Sequence, residues 1–265
     1  MSAIVRQAPQ GLTLNELCAD NECNFDCQPV TDLLNQRIGI NFGFYRPNTV
    51  SRRISRRMAQ FKIDELSDYL TLLAADQVEV DALVRELLIG VTEFFRDPAV
   101  FSALGELLFK LLKGRPAAEG FRIWSTGCAA GEEPYSLAML LHETAQNCGF
   151  GGDLKIFATD VHKGALEFAS RGTYSEEQLA TLPNRFVDRY FRCEGSAAYR
   201  IDPRIRRMMV FAYHNLISDP PFTRIDLAVC RNLLIYLLPE AQKRALTSLH
   251  FSLNPSGILD RKSVV

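Results

Sequence analysis

The feature that most constrains this sequence is an alternation of short apolar strands with helices, which begins at Phe121. Strand patterns occur at 121–125, 154–159, 210–212 and 227–230, with helical patterns at 135–146, at 163–170 and after Pro239. Parallel strands need a crossover connection, which is usually a helix, so this rhythm predicts an α/β domain with a mostly parallel sheet. The segment from Gly172 to Arg207 interrupts the rhythm, and for it we predict two helical turns followed by a small β insertion at about 193–208.

The residues before this domain carry apolar side chains at helical spacing. We predict a small all-α domain at 31–93, with Thr31 capping its first helix, followed by the α/β domain at 94–265. The apolar residues of the segment 1–30 have neither helical nor strand spacing, so we predict a flexible tail. The tail cysteines at 18, 23 and 27 have no fourth ligand nearby, so free thiols are favoured over a metal site.

Composition excludes several classes of protein. The net charge of -1 argues against a bulk nucleic-acid binder, and the uncharged apolar runs are far shorter than the roughly 20 residues of a membrane span. Seven cysteines without a secretory signal fit a reducing compartment, so we expect a cytoplasmic protein that does not insert into a membrane. We expect a monomer.

The charges of the helical region are segregated. Seven basic residues and no acid lie between Leu33 and Ile63, whereas residues 64–93 carry eight acids and a single basic residue. Four of the cations, Arg52, Arg53, Arg56 and Arg57, project from one side of a predicted helix. A solvated charged face and a surface that binds an acidic partner remain about equally supported.

The turn after the first strand, residues 124–136 (WSTGCAAGEEPYS), is rich in small residues and leads into a helix. Small residues let the backbone approach a ligand closely, and Asp160, at the end of the next strand, is placed to bind ribose hydroxyls. Glu132 and Glu133 would repel a pyrophosphate but suit a cation. The pattern favours adenosine carrying a sulfonium, although a buried strand–turn–helix without a ligand looks similar.

Other polar residues follow strands or join the two domains. Residues 90–97 (GVTEFFRD) form the junction, where the adjacent aromatics suggest packing between domains. Thr92 and Arg96 stand four apart and would share one face if this segment is helical. Ligands bind at the carboxyl ends of strands in open α/β sheets, which makes candidates of Arg231, Asn232 and Tyr236 after one strand and Asn215 after another. The four histidines are scattered without metal spacing, so no metal is expected.

Taken together, these motifs resemble the chemotaxis receptor glutamate O-methyltransferase (CheR) family over roughly residues 31–259. The resemblance rests on ordered stretches at 90–97 (GVTEFFRD), 124–136, 158–160 (ATD), 172–174 (GTY), 190–191 (YF) and 230–236 (CRNLLIY). The helical part, with YRPNTV at 45–50 and RRISRRM at 52–58, is similar to versions found in multidomain signalling hybrids.

The resemblance implies an S-adenosylmethionine-dependent methyltransferase fold and methylation of receptor glutamates in chemotaxis-type signalling. It implies that the cofactor pocket is lined by Thr92, Arg96, Glu132, Asp160, Asn215, Leu216, Arg231 and Asn232. It also implies that Arg52, Arg53, Arg56 and Arg57 dock the acidic methylation helices of a chemoreceptor, with the β insertion as a second contact. Tyr236 is assigned to orient the attacking carboxylate.

The sequence departs from the family pattern at three places. Gly90 stands where the family has a polar residue, His162 replaces a common acid, and from Asp260 the sequence does not continue into the expected strand hairpin. The end therefore looks truncated or foreign, and a missing last strand would expose a sheet edge. The alternatives are a cofactor-binding signalling module without turnover and a methyltransferase for another substrate.

Overall fold

The computed structural model describes residues 25–195 and 198–261, and these form two compact units that divide between Leu88 and Ile89. The described part of the first unit is helical: α1 (Gln28–Ile38), α2 (Pro47–Phe61), α3 (Leu66–Ala75) and α4 (Gln77–Leu87), with a 3₁₀ turn at Phe42–Phe44. Its core is apolar and aromatic, with fully buried Leu34, Ile54, Tyr69 and Leu83.

The first helix differs from its prediction at its start but not at its end. It begins at Gln28, so residues 28–30 are helical and do not belong to a tail. Thr31 is buried inside the helix and donates to the carbonyl of Gln28, so its predicted role as a cap is wrong. Gly39 ends the helix with φ 71°, as its position predicts. Cys18 and Cys23 lie outside the described residues.

The second unit alternates strands and helices. Its elements are α5 (Pro98–Leu112), β1 (Phe121–Thr126), α6 (Glu132–Cys148), β2 (Leu154–Asp160), α7 (Lys163–Arg171), β3 (Thr173–Ser175), α8 (Glu176–Leu179), α9 (Asn184–Tyr190), β4 (Phe191–Glu194), β5 (Ala198–Ile201), α10 (Pro203–Arg206), β6 (Met209–Tyr213), β7 (Ile225–Cys230), α11 (Pro239–Ser252) and β8 (Leu253–Arg261), with 3₁₀ turns at Ala117–Glu119 and Leu234–Tyr236. No helix among the described residues is long and apolar enough to cross a bilayer.

Five strands form one sheet in the order β6-β2-β1-β7-β8, and every neighbouring pair is parallel. The prediction of an α/β unit with a mostly parallel sheet is therefore confirmed. The chain passes from β1 to β2 and β6 on one side and then crosses to β7 on the other. Such a reversal leaves a crevice beyond the carboxyl ends of the central strands, which is where open α/β sheets bind ligands.

The three remaining strands form a separate antiparallel sheet in the order β3-β5-β4. The β insertion was predicted at about 193–208, but this sheet already begins at Thr173, and residues 203–206 are helical. Tyr174 pairs with Tyr199 across 25 positions of sequence, and a local alternation pattern does not reveal a partner so distant.

Strand β8 is an edge strand of the described sheet. Its pairing with β7 is irregular between Ile225 and Leu227 and then continues to Arg261. Asp260 and Arg261, which the sequence suggested were part of a foreign end, belong to this strand; residues 262–265 lie outside the described part.

Candidate functional site

The glycine-containing loop at 127–131 joins the end of β1 to the start of α6. Three of its residues have left-handed backbones: Gly127 at φ 68°, Ala129 at φ 46° and Gly131 at φ 96°. The amide of Cys128 donates to the carbonyl of Thr159 at 3.0 Å, which fastens the loop to the end of β2. A tight turn with peptide groups near its surface results, and this is the geometry that lets a ligand approach the backbone.

Asp160 ends β2 beside this loop. One carboxylate oxygen accepts the amide of Ala129 at 2.8 Å, and the other accepts the amide of His162 at 2.8 Å. A carboxylate offers about four acceptor positions, so both oxygens retain capacity for hydroxyl donors. His162, which departs from the family pattern, caps α7 by accepting the amide of Ala165 through Nδ1 at 2.9 Å.

Glycine is required at position 131 by space as well as by backbone angle. A Cβ there would lie 2.8 Å from the Cβ of Ala169 and 2.9 Å from the hydroxyl of Tyr174. The loop is thus pressed against α7 and the small sheet, and α6 starts at the next residue.

Two glutamates occupy the first turn of α6. Glu132 is buried, its Oε2 has no hydrogen-bond partner among the described residues, and burial raises the pKa of its carboxyl against the opposing effect of Gln178. Burial also raises the pKa of Glu133 to about 7, opposed by Arg231 and by a hydrogen bond from Ser125. The buried oxygen of Glu132 is available to a polar or cationic ligand, because an unsatisfied buried acceptor is costly.

The segment at 91–97 is not helical, so the condition under which Thr92 and Arg96 would share one face is not met. Phe95 at φ 51° and Asp97 at φ 62° break any helical repeat. The guanidinium of Arg96 donates to the carbonyl of Val91 at 3.2 Å and closes the segment into a loop. Thr92 and Arg96 are both half-buried within it.

The two aromatics of this segment pack inside the second unit. The ring of Phe94 lies 5.0 Å from Tyr174 and 5.7 Å from Phe191, whereas Phe95 lies 4.6 Å from Phe186. All three distances suit edge-on or tilted aromatic contacts. These rings fix the segment against the small sheet and α9.

Arg231, directly after β7, is almost fully buried and already paired. Its guanidinium donates to a carboxylate oxygen of Asp97 at 2.7 Å and to the carbonyl of Arg96 at 3.3 Å, and it lies 3.9 Å from Asp260. Asp97 precedes α5, but its side chain makes no cap hydrogen bond there and instead pairs with Arg231. The side chain of Arg231 therefore supports the 91–97 segment.

The remaining candidates at strand ends are placed by local turns. Asn232 adopts φ 59°, and Tyr236 ends a 3₁₀ turn with its side chain half-buried. Asn215 follows β6, where its side-chain oxygen accepts the amide of Ile217 at 3.1 Å, and Leu216 beside it is buried.

The arginines of α2 lie in the first unit, where α4 supplies acids that the sequence around α2 lacks. Arg57 forms a two-point ion pair with buried Glu79, which also accepts the hydroxyl of Tyr69 at 2.6 Å. Arg53 lies 3.3 Å and Arg56 3.8 Å from Glu86.

The exposure of the four arginines differs accordingly. Arg52 is exposed and Arg56 retains 62% side-chain exposure, whereas Arg53 and Arg57 are largely covered. Of the four arginines on α2, Arg52 and Arg56 face solvent, and Arg56 lies near Glu86 as well.

A nucleoside with a sulfonium fits the residues around the glycine loop. The left-handed residues of the loop let a ligand approach its backbone closely. Asp160 can accept further hydrogen bonds, and Glu132 has a buried oxygen without a hydrogen-bond partner among the described residues. The carboxylates of Asp160 and Glu132 beside the loop disfavour a phosphate and suit a positive charge. No group of His, Cys, Asp and Glu side chains among residues 25–195 and 198–261 is arranged to hold a metal ion.

Sequence reasoning missed the residues that hold this site in shape. Tyr174 was noted only as part of a motif, and Ser136, whose hydroxyl accepts the amide of Phe95 at 2.9 Å, was not assigned any role. Both act through contacts 41 or more residues away in sequence. The motif letters GTY were the one available signal.

Comparisons with known proteins cover both units. Residues 26–88 match the model of the CheR methyltransferase all-alpha domain, and residues 90–260 match that of the CheR methyltransferase SAM binding domain. A Vibrio cholerae "Chemotaxis protein methyltransferase 2" is 31% identical over 86% of this chain and 81% of its own length. The Escherichia coli "Chemotaxis protein methyltransferase" is 30% identical over 94% of this chain and 86% of its own.

A further relative is much longer than this chain. An "Uncharacterized 104.1 kDa protein in hypE 3'region" from Rhodobacter capsulatus is 46% identical over 87% of this chain. The match spans only 24% of that protein.

Proposed function

Since the chain belongs to the CheR methyltransferase family and is S-adenosylmethionine-dependent, we propose that it methylates glutamate side chains of chemoreceptors. The observation that carries the proposal is the loop at 127–131 with Asp160 beside it and Glu132 at its end. The identity of the substrate rests on the names of the chemotaxis methyltransferases to which the chain is similar. We place the reaction in the cytoplasm, since seven cysteines fit a reducing compartment.

The residues of this chain bind the cofactor and orient the glutamate, and they need not remove a proton from it. When bound, the cofactor supplies an electrophilic methyl group. A glutamate side chain has an unperturbed pKa of about 4.3, so it is already an anion at neutral pH and attacks without a general base. Asp160 holds the ribose end, Thr92, Arg96, Asn215, Leu216 and Asn232 line the pocket, and the half-buried Tyr236 orients the attacking carboxylate.

Arg231 contributes to the pocket in a different way from the other residues. Its guanidinium is buried against Asp97 and the carbonyl of Arg96, so its contact with the cofactor comes from its backbone or through Arg96. Glu132 aims its free buried oxygen at the positive end of the cofactor.

The exposed arginines of α2 dock the acidic methylation helices. Arg52 and Arg56 are the members of the set that remain open to a partner, whereas Arg53 and Arg57 hold α2 against α4. Methylation removes one negative charge from the receptor helix, so the product is held less tightly than the substrate, and this favours release.

The reaction is tested with methyl-labelled S-adenosylmethionine and receptor-containing membranes. We expect label that mild base releases as methanol, because that lability identifies a carboxyl methyl ester. A receptor in which the methylated glutamates are replaced by alanine is the substrate control and should take up no label. Label that resists base would contradict the proposal and indicate a different acceptor.

The docking assignment is tested by charge reversal. Arg52→Glu with Arg56→Glu should raise the KM for receptor at least tenfold and leave the dissociation constant for cofactor unchanged. Lys110→Glu with Lys243→Glu is a matched control, because both lysines are exposed in the second unit and the net charge changes equally. Equal losses in the two double variants would show that overall charge, and not the α2 surface, governs docking.

A further inference from the structure

Tyr174 connects the small antiparallel sheet to the glycine loop. It lies in the middle of β3, only 1% of it is exposed, and its hydroxyl donates to the carbonyl of Ala130 at 2.8 Å. A loop peptide is therefore oriented by a side chain from a different sheet.

Two peptide groups of the loop are held by side chains from two different sheets. Asp160, from the parallel sheet, accepts the amide of Ala129, while Tyr174, from the antiparallel sheet, donates to the carbonyl of Ala130. Ala129 is a non-glycine residue at φ 46°, a conformation that surrounding contacts must maintain. Removing either contact leaves one side of the strained turn unsupported.

The same tyrosine also supports the 91–97 segment. Its ring stands edge-on to Phe94 at 5.0 Å, and Phe94 lies between the pocket candidates Thr92 and Arg96. Phe168 of α7 packs on the ring at 5.6 Å and keeps it in place. Tyr174 thus contacts both backbone segments from which the cofactor site is built.

We propose that Tyr174 is a positioning residue, through which the three-stranded sheet sets the shape of the loop at 127–131 and thereby the affinity for S-adenosylmethionine. It touches neither cofactor nor substrate and acts through Ala130 and Phe94. The inference rests on the proposed function in one respect, that the cofactor binds at the loop. It does not depend on which substrate accepts the methyl group.

The chain contains a matched control for the hydroxyl. Tyr135, on α6, is also buried and also donates its hydroxyl to a backbone carbonyl, that of Ala169, at 2.9 Å. Its ring lies 6.0 Å from that of Tyr174, so the two sites share their surroundings. Tyr135→Phe and Tyr174→Phe remove the same atom and the same kind of hydrogen bond, and only the latter bond reaches the loop.

The test is calorimetric titration of the full chain with S-adenosylhomocysteine, an unreactive probe, beside thermal unfolding. We expect the two variants to lower the unfolding midpoint by similar amounts, whereas only Tyr174→Phe raises the dissociation constant, by about fivefold, as for one net hydrogen bond. A Tyr174→Phe dissociation constant within twofold of the parent, or an equal rise in Tyr135→Phe, would overturn the proposal.

Amide hydrogen exchange without ligand supplies a second readout. Exchange of the Gly131 amide, which is bonded to the carbonyl of Cys128, should accelerate in Tyr174→Phe and not in Tyr135→Phe. Unchanged exchange in Tyr174→Phe would also overturn the proposal. Failure of the proposed function is distinguished readily: a parent chain that binds no probe would refute the cofactor site, while one that binds normally but methylates no receptor would leave this inference intact.

Discussion

At the scale of single residues, the proposed cofactor site contains a few carboxylates in unequal surroundings. Asp160 is held by two amides at the end of β2, Glu132 has a free buried oxygen, and Glu133 is held by Ser125. Asp160 and Glu133 each support a separate expectation, because two backbone amides hold the first, whereas burial raises the pKa of the second.

Asp160→Asn should raise the dissociation constant for cofactor by about 10- to 100-fold. The NH2 group of asparagine would face one of the two backbone amides that now donate to Asp160, and two donors cannot bond to each other. The variant therefore loses a hydrogen bond to the loop and weakens the proposed contact with the ribose. Isothermal titration with S-adenosylhomocysteine measures the change.

Asp226→Asn is the matched control for this substitution. Asp226 also accepts a backbone amide, that of Arg122, and it pairs with Arg115, but it lies near the start of β7, at the opposite end of the sheet. It should lower stability without altering cofactor affinity. Equal loss of affinity in both variants would refute the specific role of Asp160.

Glu133 should make stability fall as pH rises towards neutrality. Burial raises the pKa of its carboxyl to about 7, from about 4.3 in the unfolded chain, so between these values the folded state binds more protons. The stabilisation that protonated Glu133 provides is fully present below the unfolded-state pKa and is lost as the pH rises through the folded-state pKa. The free energy of unfolding of the parent, relative to Glu133→Gln, should drop by about 2–3 kcal/mol from pH 5 to pH 8. Urea unfolding at intervals of pH measures it, and a constant difference would contradict the assignment.

At the scale of elements, the α2–α4 contact shows which arginines are structural. Arg57 neutralises Glu79, which is only 2% exposed, and Tyr69 adds a hydrogen bond to the same carboxylate. The hydrogen bond to Glu79 raises the pKa of Arg57, so the guanidinium stays protonated.

Arg57→Ala should lower the free energy of unfolding by about 3 kcal/mol, because it strands a buried charge. Arg52→Ala, on the exposed side of the same helix, should change it by less than about 0.5 kcal/mol. Denaturant unfolding followed by circular dichroism compares them. Similar values for the two variants would show that the Glu79 pair adds nothing to the stability of α2 against α4.

The elements also differ in how well the sequence predicted them. The strand, glycine turn and helix around residues 121–148 were predicted closely, because their signals are local. The partners of the arginines on α2 were missed, since Glu79 and Glu86 are 22 to 33 residues away. The shape of 91–97 was missed as well, because its left-handed residues are held by Ser136 and Arg231, which follow much later in the chain.

At the scale of the whole molecule, the proposed activity divides into two kinds of recognition. Cofactor binding depends on buried groups of the second unit, whereas receptor docking depends on exposed charge of the first. Salt screens exposed charges more strongly than buried ones. The two steps should therefore respond differently to ionic strength.

Raising sodium chloride from about 0.05 M to 0.5 M should increase the KM for receptor several-fold and change the KM for cofactor by less than twofold. Steady-state methylation rates with one reactant varied at a time give both constants. In the Arg52→Glu, Arg56→Glu variant the salt dependence of the receptor KM should disappear. A salt response that persists there would place docking elsewhere.

The crowding at Gly131 restricts how this sequence can change over evolutionary time. An alanine there meets both the Cβ of Ala169 and the hydroxyl of Tyr174, besides its unfavourable φ of 96°. No single second-site mutation clears both obstructions, so a genetic suppressor would have to alter α7 and the small sheet together. Positions 131, 169 and 174 should consequently behave as one epistatic unit, inherited together or not at all.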